Sequence, residues 1–120
     1  ISMGGGGGRG VTNVRLSCSV MGLGPIFKLK IEVTNAGADN LQNVPLCVGY
    51  DPEIYRCERP SQTVPLLLPN VTLTYEVVIK SIHPEGKADN VRVIFVNPNS
   101  SVPLVSGIVS MPMSELDEDM

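Results

Sequence analysis

The sequence has no tryptophan, a single histidine, three cysteines, and only two phenylalanines and three tyrosines in 120 residues. One histidine and three scattered thiols are too few for most metal clusters and most catalytic centres. The cysteines, Cys18, Cys47 and Cys57, are odd in number and form no C-x-x-C pair. A secreted domain more often carries an even set, so a reducing compartment without disulfides is expected. No run approaches 18 apolar residues, so no membrane-spanning helix is expected. An excess of positive charge is also missing. The net charge is −3, and four of the 12 acids fall between Glu115 and Met120, which leaves nine bases against eight acids elsewhere. That balance excludes a binder that works by neutralising nucleic-acid phosphates.

The ends differ from the middle. Gly4 to Gly8, followed by Arg9 and Gly10, is low-complexity sequence that cannot bury apolar area. Residues 1–10 are expected to be a disordered linker, either a native hinge or an appended one. Residues 113–120 are expected to be a disordered, solvated acidic tail. The first residue is Ile, which suggests a piece of a longer protein. The folded body is placed at residues 11–112, a length that suits one domain.

Alternation with period two dominates that body. Val14, Leu16, Cys18 and Val20 share one face of a first run, and Arg15, Ser17 and Ser19 share the other. Phe27, Leu29, Ile31 and Val33 alternate with Lys28, Lys30, Glu32 and Thr34. Gly22-Leu23-Gly24-Pro25 joins the two as a reversal, and Asn35 to Asn40 is a polar turn. Val44 to Tyr50 is nearly all apolar, with Pro45 expected at a strand start, an edge or a bulge. Glu53 to Cys57 is compatible with a short strand, and Val64 to Leu68 with a short edge strand or a packed loop. Val71, Leu73, Tyr75, Val77 and Ile79 alternate again. Asn90 to Val96 and Val102 to Met111 complete the series, with a bulge expected at Gly107. No 11-residue window holds an unbroken helical stripe. Seven or eight short strands predict an all-β, immunoglobulin-like antiparallel sandwich. Without a Trp between paired cysteines, an antibody-type domain is excluded, and a fibronectin-like or adaptor-ear-like sandwich stays open.

Candidate chemistry is sparse. His83 lies in a Pro/Gly loop without a recognisable nucleophile or orienting partner. Cys18 is in phase with an apolar face, Cys47 lies in an apolar run, and Arg56 beside Cys57 is weak support for a reactive thiol. Gly4 to Gly8 and Gly22 to Pro25 both lack the surroundings of a phosphate loop. No enzyme activity, cofactor or metal is expected. Two surfaces stand out as protein-binding candidates. Lys28 and Lys30 share a polar strand face, with Arg15 expected across the turn from them. Leu66, Leu67 and Leu68 lie between Pro65 and Pro69 and cannot all point inward if extended, so at least one is expected to be an exposed anchor, the alternative being that they cap the open end of the sandwich.

Gly22-Leu23-Gly24-Pro25-Ile26-Phe27-Lys28-Leu29, Val64-Pro65-Leu66-Leu67-Leu68-Pro69, Val102-Pro103-Leu104-Val105-Ser106 and Met111-Pro112 occur in this order along the chain. In that order they resemble the gamma-adaptin-ear-like (GAE) domain family found at the C-terminus of Bardet–Biedl syndrome 1 proteins. The resemblance covers roughly residues 14–115. It implies an adaptor-ear-type β-sandwich and a non-catalytic role in assembling the BBSome coat, which traffics membrane proteins in cilia. It implies other BBSome subunits as partners, with membrane-protein cargo met through the complex. In this family a β-propeller binds the small GTPase, so no GTPase contact is expected on these residues, nor any direct membrane insertion. The implied location is the cytoplasm, the cilium and the ciliary base, membrane-associated through the coat. Two alternatives accompany this reading: an ear that captures short cargo or accessory peptides, and an extracellular fibronectin-like adhesion domain.

Overall fold

A computed structural model describes residues 2–3 and 13–116. Of the expected linker, residues 1 and 4–10 lie outside these, as do the last four residues of the acidic tail, whereas Ser2 and Met3 pair in a sheet with Ser17 and Leu16. Among the described residues nine strands run in chain order: β1 (Ser2–Met3), β2 (Val14–Met21), β3 (Ile26–Asn35), β4 (Leu41–Gly49), β5 (Tyr55–Cys57), β6 (Ser61–Leu67), β7 (Thr72–Ser81), β8 (Asn90–Val96) and β9 (Pro103–Ser110). One sheet has the order β1-β2-β3-β7-β5 and the other β6-β4-β8-β9, with every strand pair antiparallel. This is the all-β sandwich that the alternation predicts.

The core lies between the two sheets. On β3, Phe27, Leu29, Ile31 and Val33 are fully enclosed. Each stands directly beside an apolar residue of β7, in the pairs Phe27–Ile79, Leu29–Val77, Ile31–Tyr75 and Val33–Leu73. The facing sheet contributes Val44, Leu46, Val64, Leu67, Val93 and Phe95. Burying side chains of this size stabilises the fold by about 1.5–3 kcal/mol each. Because the pleat alternates, that same phase puts Lys28, Lys30 and Glu32 on the outer face.

Three local features depart from the sequence expectations. The bulge in the β8–β9 ladder falls at Leu104, not at Gly107. Phe95 pairs with Val105 and Val96 with Pro103, whereas Gly107 stays in register with Val93. The extra residue lets neighbouring Leu104 and Val105 both turn inward. Pro45 lies inside β4, where it is tolerated because β4 pairs with β8 only from Leu46 onward. Finally, Ser114 of the expected tail is seated against the body. Its N–H donates to the Gly86 carbonyl, and the N–H of Glu115 donates to that of Leu23. A Cβ at Gly24 or Gly86 would collide with Ser114, and both glycines have positive φ (93° and 69°), so the seat requires glycine twice.

Tyr55 is the largest fully buried side chain. Its hydroxyl accepts from the N–H of Asp89 at 3.0 Å and faces the Asp89 carbonyl at 3.4 Å, which ties β5 to the loop before β8. Tyr55→Phe is expected to lower stability by about 1–2 kcal/mol in a urea titration, since it orphans a part-buried backbone N–H.

Candidate interaction surfaces

Leu66 and Leu67 lie on β6, an outer strand of the four-stranded sheet, and Leu68 directly follows its end. Pro65, which has no N–H to give a ladder, occupies this edge as expected. The in–out phase of β6 breaks at Pro65 and Leu66, which both face outward between buried Val64 and Leu67, and this divides the three leucines. Leu67 is 1% exposed and belongs to the core, so it is no surface anchor. Leu66 and Leu68 are each 42% exposed and flank it on the outside. The strip is fixed from below by Asn35 at the end of β3. The fully buried Asn35 side chain donates from Nδ2 to the Leu67 carbonyl at 3.1 Å and to the Asp39 carbonyl at 2.8 Å. Its Oδ1 accepts from the N–H of Gly37 at 2.9 Å. Its own carbonyl accepts from the N–H of Asn70 at 2.6 Å. A residue read from the sequence as part of a polar turn is thus the latch that joins the two sheets under the strip.

The basic-platform expectation changes more. Lys28 pairs with Glu76 at 3.6 Å, and Lys30 stands directly across from Glu76 in the β3–β7 ladder. Arg15 does not join them. It pairs in register with Thr34, whereas Ser19 and Met21 are the β2 residues opposite Lys30 and Lys28. The half-exposed Lys28–Glu76 pair adds little stability, but Glu76 cancels much of the field of that face. Two further cations lie elsewhere on the same face. Arg56 and Lys80 stand side by side on β5 and β7, and neither meets a carboxylate among the described residues.

A third surface escapes the pattern reading. Met21, Ile26 and Val78 occupy polar-phase positions of β2, β3 and β7, and are 43%, 61% and 52% exposed. Each was visible as a break in the alternation, but only the register brings the three together. They surround Lys28 and line a shallow hollow of about 290 Å³ with it.

Among the described residues, the titratable groups singled out in the sequence lie apart from one another. His83 Nδ1 accepts the N–H of Glu85 at 3.0 Å and is 3.4 Å from that of Lys87, so it organises its own loop. No group of three potential metal ligands is present among the described residues. Among them, too, no helix is long and apolar enough to cross a membrane. Cys18 and Cys57 are buried thiols, and Cys47 is half-buried with Sγ 3.9 Å from Ser61 Oγ. Burial pushes Cys18 up to about 11 and also raises Cys57, Tyr55 and Tyr75. Raised values favour the protonated forms of the folded state. Stability is therefore fully present below the unfolded thiol value of about 8.5 and is lost as pH rises through the folded values. The urea midpoint is expected to hold steady to about pH 8 and fall from there toward pH 11. Replacing Cys18 by Val should flatten part of that fall, and an unchanged slope would show that Cys18 ionises freely in the folded chain.

Comparison with known proteins agrees with this architecture. The family model for the Bardet-Biedl syndrome 1 protein, GAE domain, matches residues 14–117. The mouse (Mus musculus) protein named "BBSome complex member BBS1" is 31% identical over 103 residues. The human (Homo sapiens) protein of the same name is 32% identical over 103 residues. In both cases the match covers 85% of this chain but only 17% of the relative's length. With nearly the whole sandwich spanned by the family match, this chain belongs to the GAE-domain family of Bardet–Biedl syndrome 1 proteins.

Proposed function

We propose that this chain is a non-catalytic interaction domain that helps assemble a BBSome-type coat, and that the β6 edge is its docking strip. The observation that carries the reading is the pair of exposed leucines, Leu66 near the end of β6 and Leu68 just beyond it, on a segment anchored by buried Leu67 and by the Asn35 latch. Two apolar side chains on a fixed edge present little conformational entropy to lose on docking, which is what a permanent subunit contact needs. A neighbouring coat subunit with a complementary apolar groove is the partner that this strip fits. Lys28 and Lys30 act as a secondary, rim-like contact, because exposed charges chiefly tune encounter rate and salt dependence. Through the coat, the domain would work at ciliary membranes without entering the bilayer itself, and any membrane-protein cargo would be met by the assembled complex.

The test is co-purification of named coat subunits with the tagged chain from ciliated cells. Leu66→Asp/Leu68→Asp should fold normally and recover coat subunits at least tenfold less well. Lys28→Glu/Lys30→Glu should shift the salt dependence and leave most of the recovery intact. Failure of the unaltered chain to recover any coat subunit would overturn the assembly reading. Normal recovery by the leucine variant would place the interface away from β6.

A further inference from the structure

One serine of this chain combines a charged sequence context with an unusual seat in the fold. Ser114 is followed by Glu115, Asp117, Glu118 and Asp119. It is the only serine or threonine of the sequence with a carboxylate three residues downstream. A hydroxyl followed by a run of carboxylates suits the basic substrate groove of an acidophilic protein kinase, by charge complementarity. The fold seats this hydroxyl instead of leaving it in water. Ser114 is 9% exposed, and its Oγ donates to the Glu115 carbonyl at 2.8 Å. The N–H groups of Ser114 and Glu115 hold the segment to the carbonyls of Gly86 and Leu23. Gly24 packs directly on the Ser114 hydroxyl and Gly86 on the Ser114 carbonyl, so that a Cβ on either glycine would collide with the serine. Two loops therefore close on Ser114 and leave room for a hydroxyl and little more. Residues 112–116 belong to no strand, so local opening there costs far less than unfolding the sandwich.

We propose that Ser114 is a phosphorylation site for an acidophilic serine kinase, and that phosphorylation unseats the C-terminal segment from the sandwich. In the locally open chain, Ser114 Oγ attacks the γ-phosphorus of a nucleoside triphosphate held by the kinase. The Oγ–P bond forms as the bond from that phosphorus to the β-phosphate oxygen breaks. The nucleoside diphosphate leaves, and the hydroxyl proton passes to the base of the kinase. The product cannot return to the seat. It carries a charge of about −1.5 to −2 and three further oxygens, where Gly24 already packs on the bare hydroxyl. Reseating would bury that charge without a partner. Lys87 adjoins Gly86 in sequence but is exposed, so its pull on a seated phosphate is screened by water. Glu115 and the acids beyond it repel the phosphate and favour the open segment.

The experiment treats the 120-residue chain with magnesium ATP and a purified acidophilic kinase of the casein-kinase type, read by intact mass and peptide mapping. One phosphoryl group, a gain of about 80 Da, is expected on Ser114. Ser114→Ala should abolish the gain, and Asp117→Asn should slow it at least about fivefold. Gly86→Ala, which crowds the seat, should speed it at least about threefold. In the phosphorylated chain the amides of Ser114 and Glu115 should exchange at least about tenfold faster than in the unmodified chain, with β3 and β8 unchanged. The proposal is overturned if the unaltered chain takes up no phosphate, including the case in which only Gly86→Ala does, since the native seat would then shield the serine. Phosphate mapped to another residue, or an unchanged rate for Asp117→Asn, also overturns it. So does full protection of Ser114 and Glu115 after phosphorylation, which would mean that the seat accommodates the phosphate. The Leu66→Asp/Leu68→Asp chain should behave as the unaltered one throughout, so loss of the β6 interface would leave these measurements unchanged.

Discussion

Leu67→Asp is expected to leave the chain unfolded at 25 °C, whereas Leu66→Asp and Leu68→Asp, one residue to either side, are expected to shift stability by less than about 1 kcal/mol each. The difference comes from strand phase alone. Leu67 is 1% exposed and faces the interior, across the ladder from Leu41, while its neighbours face water. Replacing it removes about 1.5–3 kcal/mol of apolar burial. It also forces a carboxylate either to ionise in an apolar interior or to hold its proton there, at several further kcal/mol. The sum reaches the 5–15 kcal/mol that holds a typical domain together. Far-ultraviolet circular dichroism with urea titration reads the outcome directly. A folded Leu67→Asp protein with a normal midpoint would mean that β6 is paired one residue out of register.

Asn35→Ala is expected to cost on the order of 3–5 kcal/mol, an unusual loss for one polar side chain. Three backbone groups lose their partner at once: the carbonyls of Leu67 and Asp39 and the N–H of Gly37. Removing one partner from a buried hydrogen bond costs about 1–3 kcal/mol, because the remaining group stays desolvated. Asn35→Asp should do at least as badly at neutral pH. It keeps the shape but turns a carboxylate toward two carbonyl oxygens that need a donor. Because the Leu67 carbonyl belongs to β6, Asn35 variants that remain folded should also exchange the amides of that strand faster. A loss under about 0.5 kcal/mol in denaturant would show that water satisfies these groups and that the latch is not a structural one.

These two positions mark where the sequence was readable and where it was not. The phase of β3 followed from composition alone, since Phe27, Leu29, Ile31 and Val33 alternate with charged or polar residues without a break. That the Leu66–Leu68 segment could not face wholly inward was equally legible, but which leucine turned in was not. Pro65 fixes the segment to an edge and leaves the phase to the facing sheet. Asn35 was unreadable for a different reason. Its side-chain partners lie up to 32 residues away in sequence, and an Asn at the end of a strand looks locally like any turn residue. The bulge at Leu104 was masked by Gly107, the more obvious breaker. The hollow on the outer face left a signal in three apolar residues at polar-phase positions. Only the register shows that Met21, Ile26 and Val78 meet, and that Lys80 and Arg56 stand together. The Lys28–Lys30 platform was legible as charge on one face, while Glu76, which offsets it, arrives from another strand.

The central claim, that a folded ear-type sandwich docks through its β6 edge, is tested most directly by hydrogen–deuterium exchange on the chain alone and within a reconstituted coat complex. Exchange at residues 61–68 should slow at least tenfold on assembly, as the outer edge and its two leucines are covered. The buried strands β3 and β8 should change little. Equal exchange of residues 61–68 in both states, with new protection on another part of the sandwich, would contradict the account.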